Sequence, residues 1–319
     1  MTAEIKSAQL FPGQGLAPQE IIDCYHQLKK ISRYRTQNRI ADTQEALDKI
    51  HGAKAFDLVA ALEDKDSDYF GLTSFVQPVV YTLSVLTSEI ADARGSERIT
   101  PNMVAGHSLG EYSALTKAGV IPFKNGLEIV TFRGLVMQEA CLDEPSALVS
   151  INGLDEESVK DKVCQQTGAE IALVNAPTLI VVGVSKDGVA DIEELAIKAG
   201  ARRVSTLPTA GAFHTHFMQE ASEKLDEFMN RFEFSTPRIP VVANLSGELS
   251  NSEVALKHHL VEGMVNPVKW AKVIQTMRDA GVTIFREAGP GKSLAALNTR
   301  NGLSEEQTIS VLESLQPAA

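Results

Sequence analysis

A serine stands between two glycines in the segment Gly106-His107-Ser108-Leu109-Gly110, which fits the pattern G-x-S-x-G. A short apolar stretch precedes this segment and a helix-like stretch follows it. We therefore predict a sharp strand-to-helix turn that exposes the Ser108 hydroxyl, with glycines that permit the tight backbone. The backbone N–H of Leu109 falls at the start of the helix, where it can stabilise an oxyanion. The pattern predicts a serine nucleophile.

A serine nucleophile needs a general base, and the chain contains seven histidines. We favour His214, because the small residues and the aromatic ring of Gly211-Ala212-Phe213 come directly before it and can form a pocket. Spacing alone leaves the choice among the histidines open. His107 lies beside the serine and is either a helper of the nucleophile or a packing residue.

Arg133 lies in the helix predicted after the serine turn, in the segment Thr131-Phe132-Arg133-Gly134. One interpretation is an exposed arginine whose stem lies along apolar neighbours. The other is a bidentate clamp for a carboxylate, which suits the planar guanidinium. The sequence around Arg133 leaves both interpretations open.

Two glycine-rich segments are poor matches to nucleotide-binding loops. Pro12-Gly13-Gln14-Gly15 lacks the third glycine of the dinucleotide fingerprint, and Gly289-Pro290-Gly291-Lys292 lacks the four-residue gap of a phosphate loop. No Cys/His spacing fits a metal site. We therefore expect neither a nucleotide cofactor nor a metal.

Strands and helices alternate along most of the chain, which indicates a parallel sheet covered by helices. We predict strands over 8–12 and 102–106, helices over 18–50, 73–93, 111–118 and 125–141, and further strands near 240–242 and 283–287. Between them, residues 146–206 follow the order β-α-β-β-α-β of a ferredoxin-like unit.

The predicted fold is therefore α/β, with a large α/β-hydrolase-like domain that contains a parallel sheet and an inserted small ferredoxin-like subdomain. We place the large domain over residues 1–143 and 208–319 and the subdomain over residues 144–207. A monomer is the default expectation.

Composition excludes several classes of protein. Of 319 residues, 44% are apolar and 22% are charged, unlike disordered or fibrous chains. The 30 basic and 41 acidic residues give a net charge of −11, which disfavours binding to nucleic acid or an anionic membrane. The three cysteines form no disulfide framework, so we expect reduced thiols and a cytoplasmic location. We expect no signal peptide and no membrane helix.

Six motifs in order resemble the malonyl-CoA:acyl carrier protein transacylases, including the free-standing acyltransferases of polyketide synthases. The resemblance extends from about residue 8 to residue 300, and the segment GHSLGEY is its most specific part. The motifs are Leu10-Phe11-Pro12-Gly13-Gln14-Gly15, Gly106-His107-Ser108-Leu109-Gly110-Glu111-Tyr112, Phe132-Arg133-Gly134, Gly211-Ala212-Phe213-His214, Asn266-Pro267-Val268-Lys269-Trp270 and Glu287-Ala288-Gly289-Pro290-Gly291-Lys292.

The resemblance implies a catalytic role for several residues. Ser108 would carry the acyl group as an ester, and His214 would act as general base and acid. Gln14 and the Leu109 N–H would form the oxyanion hole. Arg133 falls where the family keeps the arginine that binds the malonyl carboxylate. The family uses a Ser–His pair without an aspartate.

The resemblance also implies positions around this pair. The backbone carbonyl of Gly263 would orient the histidine, at a position where the family often has glutamine. Gln77 and Asn175 match polar positions near the acyl pocket. Phe213 resembles the malonyl-selective pattern, because a bulky ring leaves little room for an α-methyl group.

The implied function is transfer of a malonyl group from malonyl-CoA to the phosphopantetheine thiol of an acyl carrier protein, for fatty acid or polyketide synthesis. The coenzyme A thioester would be a substrate, with no resident cofactor. An acidic carrier protein would need a local basic patch. The candidates for that patch are Arg202, Arg203, Lys269, Lys272, Arg286 and Lys292.

Other functions remain open at this stage. An acyl hydrolase that edits stalled carrier proteins could use the same scaffold, although it would gain nothing from Arg133. A transferase for a substituted malonyl unit is also consistent with the motifs. An α/β-hydrolase esterase is disfavoured, because no histidine follows His259. A non-catalytic carrier-binding scaffold is disfavoured by the intact motifs.

Overall fold

The strands form two separate sheets in the computed structural model, which describes residues 6–95 and 100–316. The prediction of no signal peptide rests on the N-terminal segment, and residues 1–5 of that segment lie outside the described residues. The strands are β1 (Lys6–Phe11), β2 (Met103–Gly106), β3 (Ser146–Asn152), β4 (Glu170–Ala176), β5 (Leu179–Ser185), β6 (Arg203–Thr206), β7 (Val241–Val242), β8 (Leu249–Ser250), β9 (Val282–Glu287) and β10 (Thr308–Ser310).

Helices surround both sheets. They are α1 (Pro18–Ile31), α2 (Arg33–His51), α3 (Leu58–Ala61), α4 (Thr73–Arg94), α5 (Gly110–Lys117), α6 (Phe123–Asp143), α7 (Glu156–Val159), α8 (Gln165–Thr167), α9 (Val189–Lys198), α10 (Gln219–Met229), α11 (Glu253–Glu262), α12 (Trp270–Asp279), α13 (Ser293–Arg300) and α14 (Val311–Ser314).

The larger sheet has the order β10-β9-β1-β2-β7-β8, and all its pairs are parallel except β7 with β8. Five of the six residues of β1 are buried, as expected for a parallel strand covered on both faces. In the β1–β2 pair, Phe11 lies opposite Gly106. The Gln14 loop and the Ser108 turn therefore leave the sheet at the same edge.

The smaller sheet is antiparallel, with the order β4-β5-β3-β6. Its strands and helices follow the predicted β-α-β-β-α-β order, and it has its own apolar core around Val149, Ile180 and Ile192. Its edge strand β4 meets the large unit at Val268, whose N–H donates to the Ala172 carbonyl over 3.0 Å. The predicted α/β fold with a ferredoxin-like insertion is confirmed. The domain limits at residues 144 and 207 stay a prediction.

Two helical predictions need correction. Residues 18–50 do not form one helix, because the backbone leaves the helical region at Ser32 (φ −150°), which separates α1 from α2. The first helix in the predicted β-α-β-β-α-β order of the inserted unit is irregular, because it contains a π-helical stretch, Lys160–Cys164, between α7 and α8. The long helix predicted over 73–93 is confirmed as α4, with Pro78 inside it. No helix in the described part of the chain is long and apolar enough to cross a membrane.

Candidate active site

The turn at Ser108 is as tight as the sequence pattern predicts. Ser108 has φ 52°, a left-handed conformation that non-glycine residues rarely adopt. A Cβ on Gly106 would overlap the backbone of Gly110, and a Cβ on Gly110 would overlap the Phe11 carbonyl. Glycine is therefore required on both sides, because the start of α5 packs directly against β1 and β2.

His214 is the histidine that reaches Ser108. Its Nε2 lies 2.7 Å from the Ser108 hydroxyl oxygen, and its Nδ1 lies 2.6 Å from the Gly263 carbonyl oxygen. Because a carbonyl only accepts, Nδ1 carries the ring proton, and Nε2 of the neutral ring accepts from the serine. The predicted contact between serine and histidine and the predicted orientation by Gly263 are both present in the geometry.

Burial holds the His214 ring in its neutral form. The residue is only 5% exposed, and burial, helped by the nearby Arg133 charge, lowers its pKa to about 3. At neutral pH the ring is therefore ready to take a proton from Ser108, and the imidazolium formed during reaction is a high-energy species.

Arg133 projects from α6 into the same cavity and is 3% exposed, which excludes the interpretation of a solvent-exposed arginine. Its Nη1 donates to the Gln77 side-chain oxygen over 2.5 Å, and its guanidinium lies 5.5 Å from the centre of the Tyr112 ring. Its Nε has no hydrogen-bond partner within residues 6–95 and 100–316. A buried cation with a spare donor is suited to bind an incoming carboxylate.

Gly134 explains why the arginine can meet Gln77 of α4. A Cβ on Gly134 would lie 2.9 Å from Cα of Ser74 and 3.0 Å from the Thr73 carbonyl oxygen. The glycine thus permits a close approach of α6 to the first turn of α4, which brings Arg133 alongside Gln77.

The two predicted oxyanion donors belong to segments that meet at the serine turn. The Leu109 N–H stands at the start of α5, and no acceptor takes it among the described residues. The side-chain oxygen of Gln14 accepts from the Thr73 hydroxyl over 2.7 Å. A Cβ on Gly13 would lie 3.0 Å from the His107 carbonyl oxygen, so the Gln14 loop packs against the residue before Ser108.

The remaining predicted residues are distributed unevenly around the cavity. Ser108, Arg133, His214 and Gly263 line it. Phe213 is buried in the main core and is not among the lining residues.

His107 and Asn175 bond to each other, Nε2 to Oδ1, over 2.8 Å. His107 also packs edge-on against Trp270, with ring centres 5.3 Å apart, and burial lowers its pKa. The geometry of His107 therefore favours the packing interpretation over a role as helper.

Sequence reasoning missed Asn244, which is 2% exposed and lines the cavity. Its side-chain oxygen accepts from the Ser108 N–H over 3.1 Å, and its side-chain nitrogen donates to the Gly106 carbonyl over 2.5 Å. Its own N–H donates to the Glu111 carboxylate over 3.0 Å. The available signal was its place just after β7, a neighbour of the strand that ends at the serine turn.

Glu111 is also buried, at 4% exposure, and was not singled out from sequence. Burial raises the pKa of its carboxyl to about 7, although the bonds from Asn244 and the Arg133 charge lower it in part. Glu111 therefore connects the backbone of Asn244 with the charged region around Arg133.

The six basic residues proposed for docking do not form one free patch. Lys272 pairs with Glu248 over 2.7 Å and Lys292 pairs with Glu313 over 2.6 Å. The other four are the exposed Arg202 and Arg203 and the partly buried Lys269 and Arg286. Within the described residues, no group of three or more His, Cys, Asp or Glu side chains could hold a metal ion.

Comparison with known proteins agrees with this geometry. The model of the acyl transferase domain family matches residues 29–317. The malonyl CoA-acyl carrier protein transacylase of Bacillus subtilis is 33% identical over 296 residues, which cover 92% of this chain and 89% of the relative.

Solved structures show the same relationship. An acyl-carrier-protein S-malonyltransferase from Burkholderia pseudomallei superposes with a TM-score of 0.83 at 31% identity, covering 98% of both chains. A malonyl-transacylase solved in complex with a type II polyketide synthase acyl-carrier protein has a TM-score of 0.81 at 29% identity, covering 97% of this chain and 98% of the other. The chain therefore belongs to the acyl transferase domain family, among the malonyl-CoA:acyl carrier protein transacylases.

Proposed function

We propose that the protein transfers a malonyl group from malonyl-CoA to the phosphopantetheine thiol of an acyl carrier protein through an ester on Ser108. One observation carries this proposal. The Ser108–His214 pair shares a cavity with Arg133, a buried cation that has a donor without a partner. A nucleophile for the thioester and a clamp for the malonyl carboxylate thus lie together.

In the first half-reaction, the Ser108 oxygen attacks the thioester carbonyl carbon while its proton passes to Nε2 of His214. The carbonyl oxygen becomes an oxyanion, for which the Leu109 N–H and the Gln14 side chain are the donors. Such donors are worth about 10²–10³ in rate each. The C–S bond then breaks, and His214 returns its proton to the coenzyme A sulfur.

In the second half-reaction, the carrier thiol repeats the sequence on the ester. His214 takes the thiol proton, the sulfur attacks the ester carbonyl, and the Ser108 oxygen leaves with the proton from His214. The Gly263 carbonyl keeps Nδ1 protonated throughout, so Nε2 is the only ring nitrogen that exchanges protons. Ping-pong kinetics follow, because one substrate leaves before the other reacts.

Arg133 provides the selectivity for a carboxylated acyl group. A malonyl carboxylate pairs with the guanidinium and occupies its free donor, whereas an acetyl group leaves a buried cation unpaired, which costs several kcal/mol. The preference for malonyl over α-methylated units, which the resemblance implies for Phe213, stays a prediction, because Phe213 lies in the main core and does not line the cavity.

The relatives support the choice of partners. The Bacillus subtilis relative is named a malonyl CoA-acyl carrier protein transacylase, and the Burkholderia pseudomallei structure is named an acyl-carrier-protein S-malonyltransferase. The third protein is a malonyl-transacylase that was solved together with an acyl-carrier protein. The acceptor proposed here is a carrier protein of fatty acid or polyketide synthesis. We propose a cytoplasmic location, supported by three free, buried cysteines. We expect no resident cofactor, because residues of the chain can fill each chemical role.

Intact-protein mass after brief exposure to malonyl-CoA, acetyl-CoA or methylmalonyl-CoA tests the proposal, with Ser108→Ala as the control. We expect a malonyl adduct on the wild type alone and no acetyl adduct. Steady release of free malonate without an adduct would favour a hydrolase. No adduct and no release would contradict catalysis with these substrates.

A further inference from the structure

Four side chains form a continuous line of hydrogen bonds from Arg133 to Gln14. Arg133 Nη1 donates to the Gln77 oxygen over 2.5 Å, and the Gln77 nitrogen donates to the Thr73 hydroxyl over 2.9 Å. The Thr73 hydroxyl donates to the Gln14 oxygen over 2.7 Å. Arg133, Gln77 and Thr73 are all buried, at 3%, 0% and 4% exposure. The line thus joins the proposed carboxylate clamp to a proposed oxyanion donor.

The direction of donation along this line follows from the arginine. A guanidinium has no acceptor, so the Gln77 amide must turn its oxygen to Arg133 and its nitrogen to Thr73. The Thr73 oxygen then accepts a hydrogen bond from the Gln77 nitrogen, and the single hydroxyl hydrogen of Thr73 remains for the next partner. Gln14 must therefore turn its oxygen to Thr73, which leaves its NH₂ group as the free end of the line.

Without this constraint, the side-chain amide of Gln14 could rotate by half a turn and present its oxygen instead. An oxygen facing the developing oxyanion would repel it, whereas an NH₂ group stabilises it. Successive donation in one direction also polarises each bond in the line, which strengthens the terminal donor by about 10–30% per bond.

We propose that Thr73 is a positioning residue that transmits the donor direction set by Arg133 to Gln14, so that the Gln14 NH₂ group faces the oxyanion. This inference rests on the proposed function and deepens it. It predicts that the Thr73 hydroxyl contributes to kcat, although Thr73 is not among the residues that line the cavity.

Thr73→Val tests the inference, because valine keeps the shape and removes only the hydroxyl. We expect kcat for malonyl transfer to fall about tenfold, where kcat is calculated from the concentration of enzyme that can form the malonyl ester. KM for malonyl-CoA should stay within about twofold of the wild-type value, because the hydrogen bond from Arg133 to Gln77 is unaffected. The Gln77 nitrogen also keeps its contact with the Met137 sulfur at 3.3 Å. Thr73→Ser should restore kcat.

The matched control is Thr82→Val. Thr82 is buried on the same helix, and its hydroxyl bonds to the Thr43 hydroxyl over 2.7 Å. This substitution removes an equivalent hydroxyl without touching the line, so kcat should remain at the wild-type value. Any general effect of a lost threonine hydroxyl on α4 would appear in both variants.

A double-mutant cycle with Gln14→Ala distinguishes positioning from a general structural effect. If Thr73 acts through Gln14, the double variant should be no slower than Gln14→Ala alone. Multiplicative losses, or an unchanged kcat in Thr73→Val, would overturn the inference while leaving the proposed function intact. A wild-type protein that forms no malonyl ester would overturn both.

Discussion

Asn244 should control both the stability of the Ser108 turn and the rate of serine acylation. Its side chain joins the N–H of Ser108, the left-handed residue, to the Gly106 carbonyl just before it on the chain. Asn244→Ala removes both bonds at a site that is 2% exposed, so water can replace them only by entering the core. The left-handed conformation of Ser108 then loses the contacts that impose it.

The magnitude follows from the two groups left without a partner. Each orphaned buried polar group costs about 1–3 kcal/mol, so the free energy of unfolding should fall by about 2–6 kcal/mol. Acylation should slow more than this loss of folded protein explains. A displacement of the nucleophile of about 1 Å costs on the order of 10²-fold in rate, and we expect a loss of about 10- to 100-fold.

Urea unfolding and the rate of appearance of the malonyl adduct by mass spectrometry provide the two measurements. Asn230→Ala is the matched control, because Asn230 is exposed and its side-chain oxygen accepts from the Lys257 ammonium over 3.0 Å. Asn244→Asp keeps the acceptor for the Ser108 N–H but faces the Gly106 carbonyl with a second oxygen. Its acylation rate relative to wild type should therefore rise as the pH falls and that oxygen becomes protonated.

An Asn244→Ala protein with wild-type unfolding free energy and wild-type acylation rate would refute the reasoning. An equal loss in Asn230→Ala would refute it as well, since an exposed asparagine should not matter. Loss of stability with unchanged acylation would show that the Ser108 turn holds its geometry without Asn244.

Four further predictions follow from the site. Arg133→Ala should slow malonyl adduct formation about 100-fold or more and permit acetyl adducts, as measured by mass. The wild type should lose stability relative to His214→Asn as the pH drops from 6.5 towards 3. The difference between their free energies of unfolding should shrink by at most about 1.4 kcal/mol per pH unit. The reason is that the pKa of His214 in the folded protein is about 3, so the unfolded chain takes up the proton first. Gly110→Ala should cost about 3 kcal/mol or more in urea unfolding, through backbone overlap. Charge reversal of Arg202 and Arg203 should raise KM for carrier protein and leave KM for malonyl-CoA unchanged in steady-state assays; an unchanged KM for carrier protein would contradict a docking role.

Much of the fold was predictable, because it depends on local patterns. The apolar strand before Ser108 and the helix after it are encoded by adjacent residues, and so is the β-α-β-β-α-β order of the inserted unit. The break at Ser32 between α1 and α2 was missed, because helical spacing continues on both sides of it and no proline or glycine marks it.

The site was predictable in part. The motifs around Ser108, His214 and Arg133 were found, since each is a short segment with an unusual composition. Asn244 and Glu111 were missed, because a single asparagine after a two-residue strand and a glutamate in a helix carry no pattern of their own. Their importance comes from what they bond to rather than from their neighbours in sequence.

The amino-acid sequence by itself determined the serine turn, the alternation of strands and helices and the family resemblance, since these depend on residues close together in the chain. The tertiary structure alone decided which asparagine holds the turn, and it alone brings together Ser108, His214 and the Gly263 carbonyl, whose roles the resemblance had implied. Ser108 lies 106 residues from His214 and 136 residues from Asn244. Contacts across such distances are set by the pairing of β1, β2 and β7 and by the packing of helices on them, which no local spacing records.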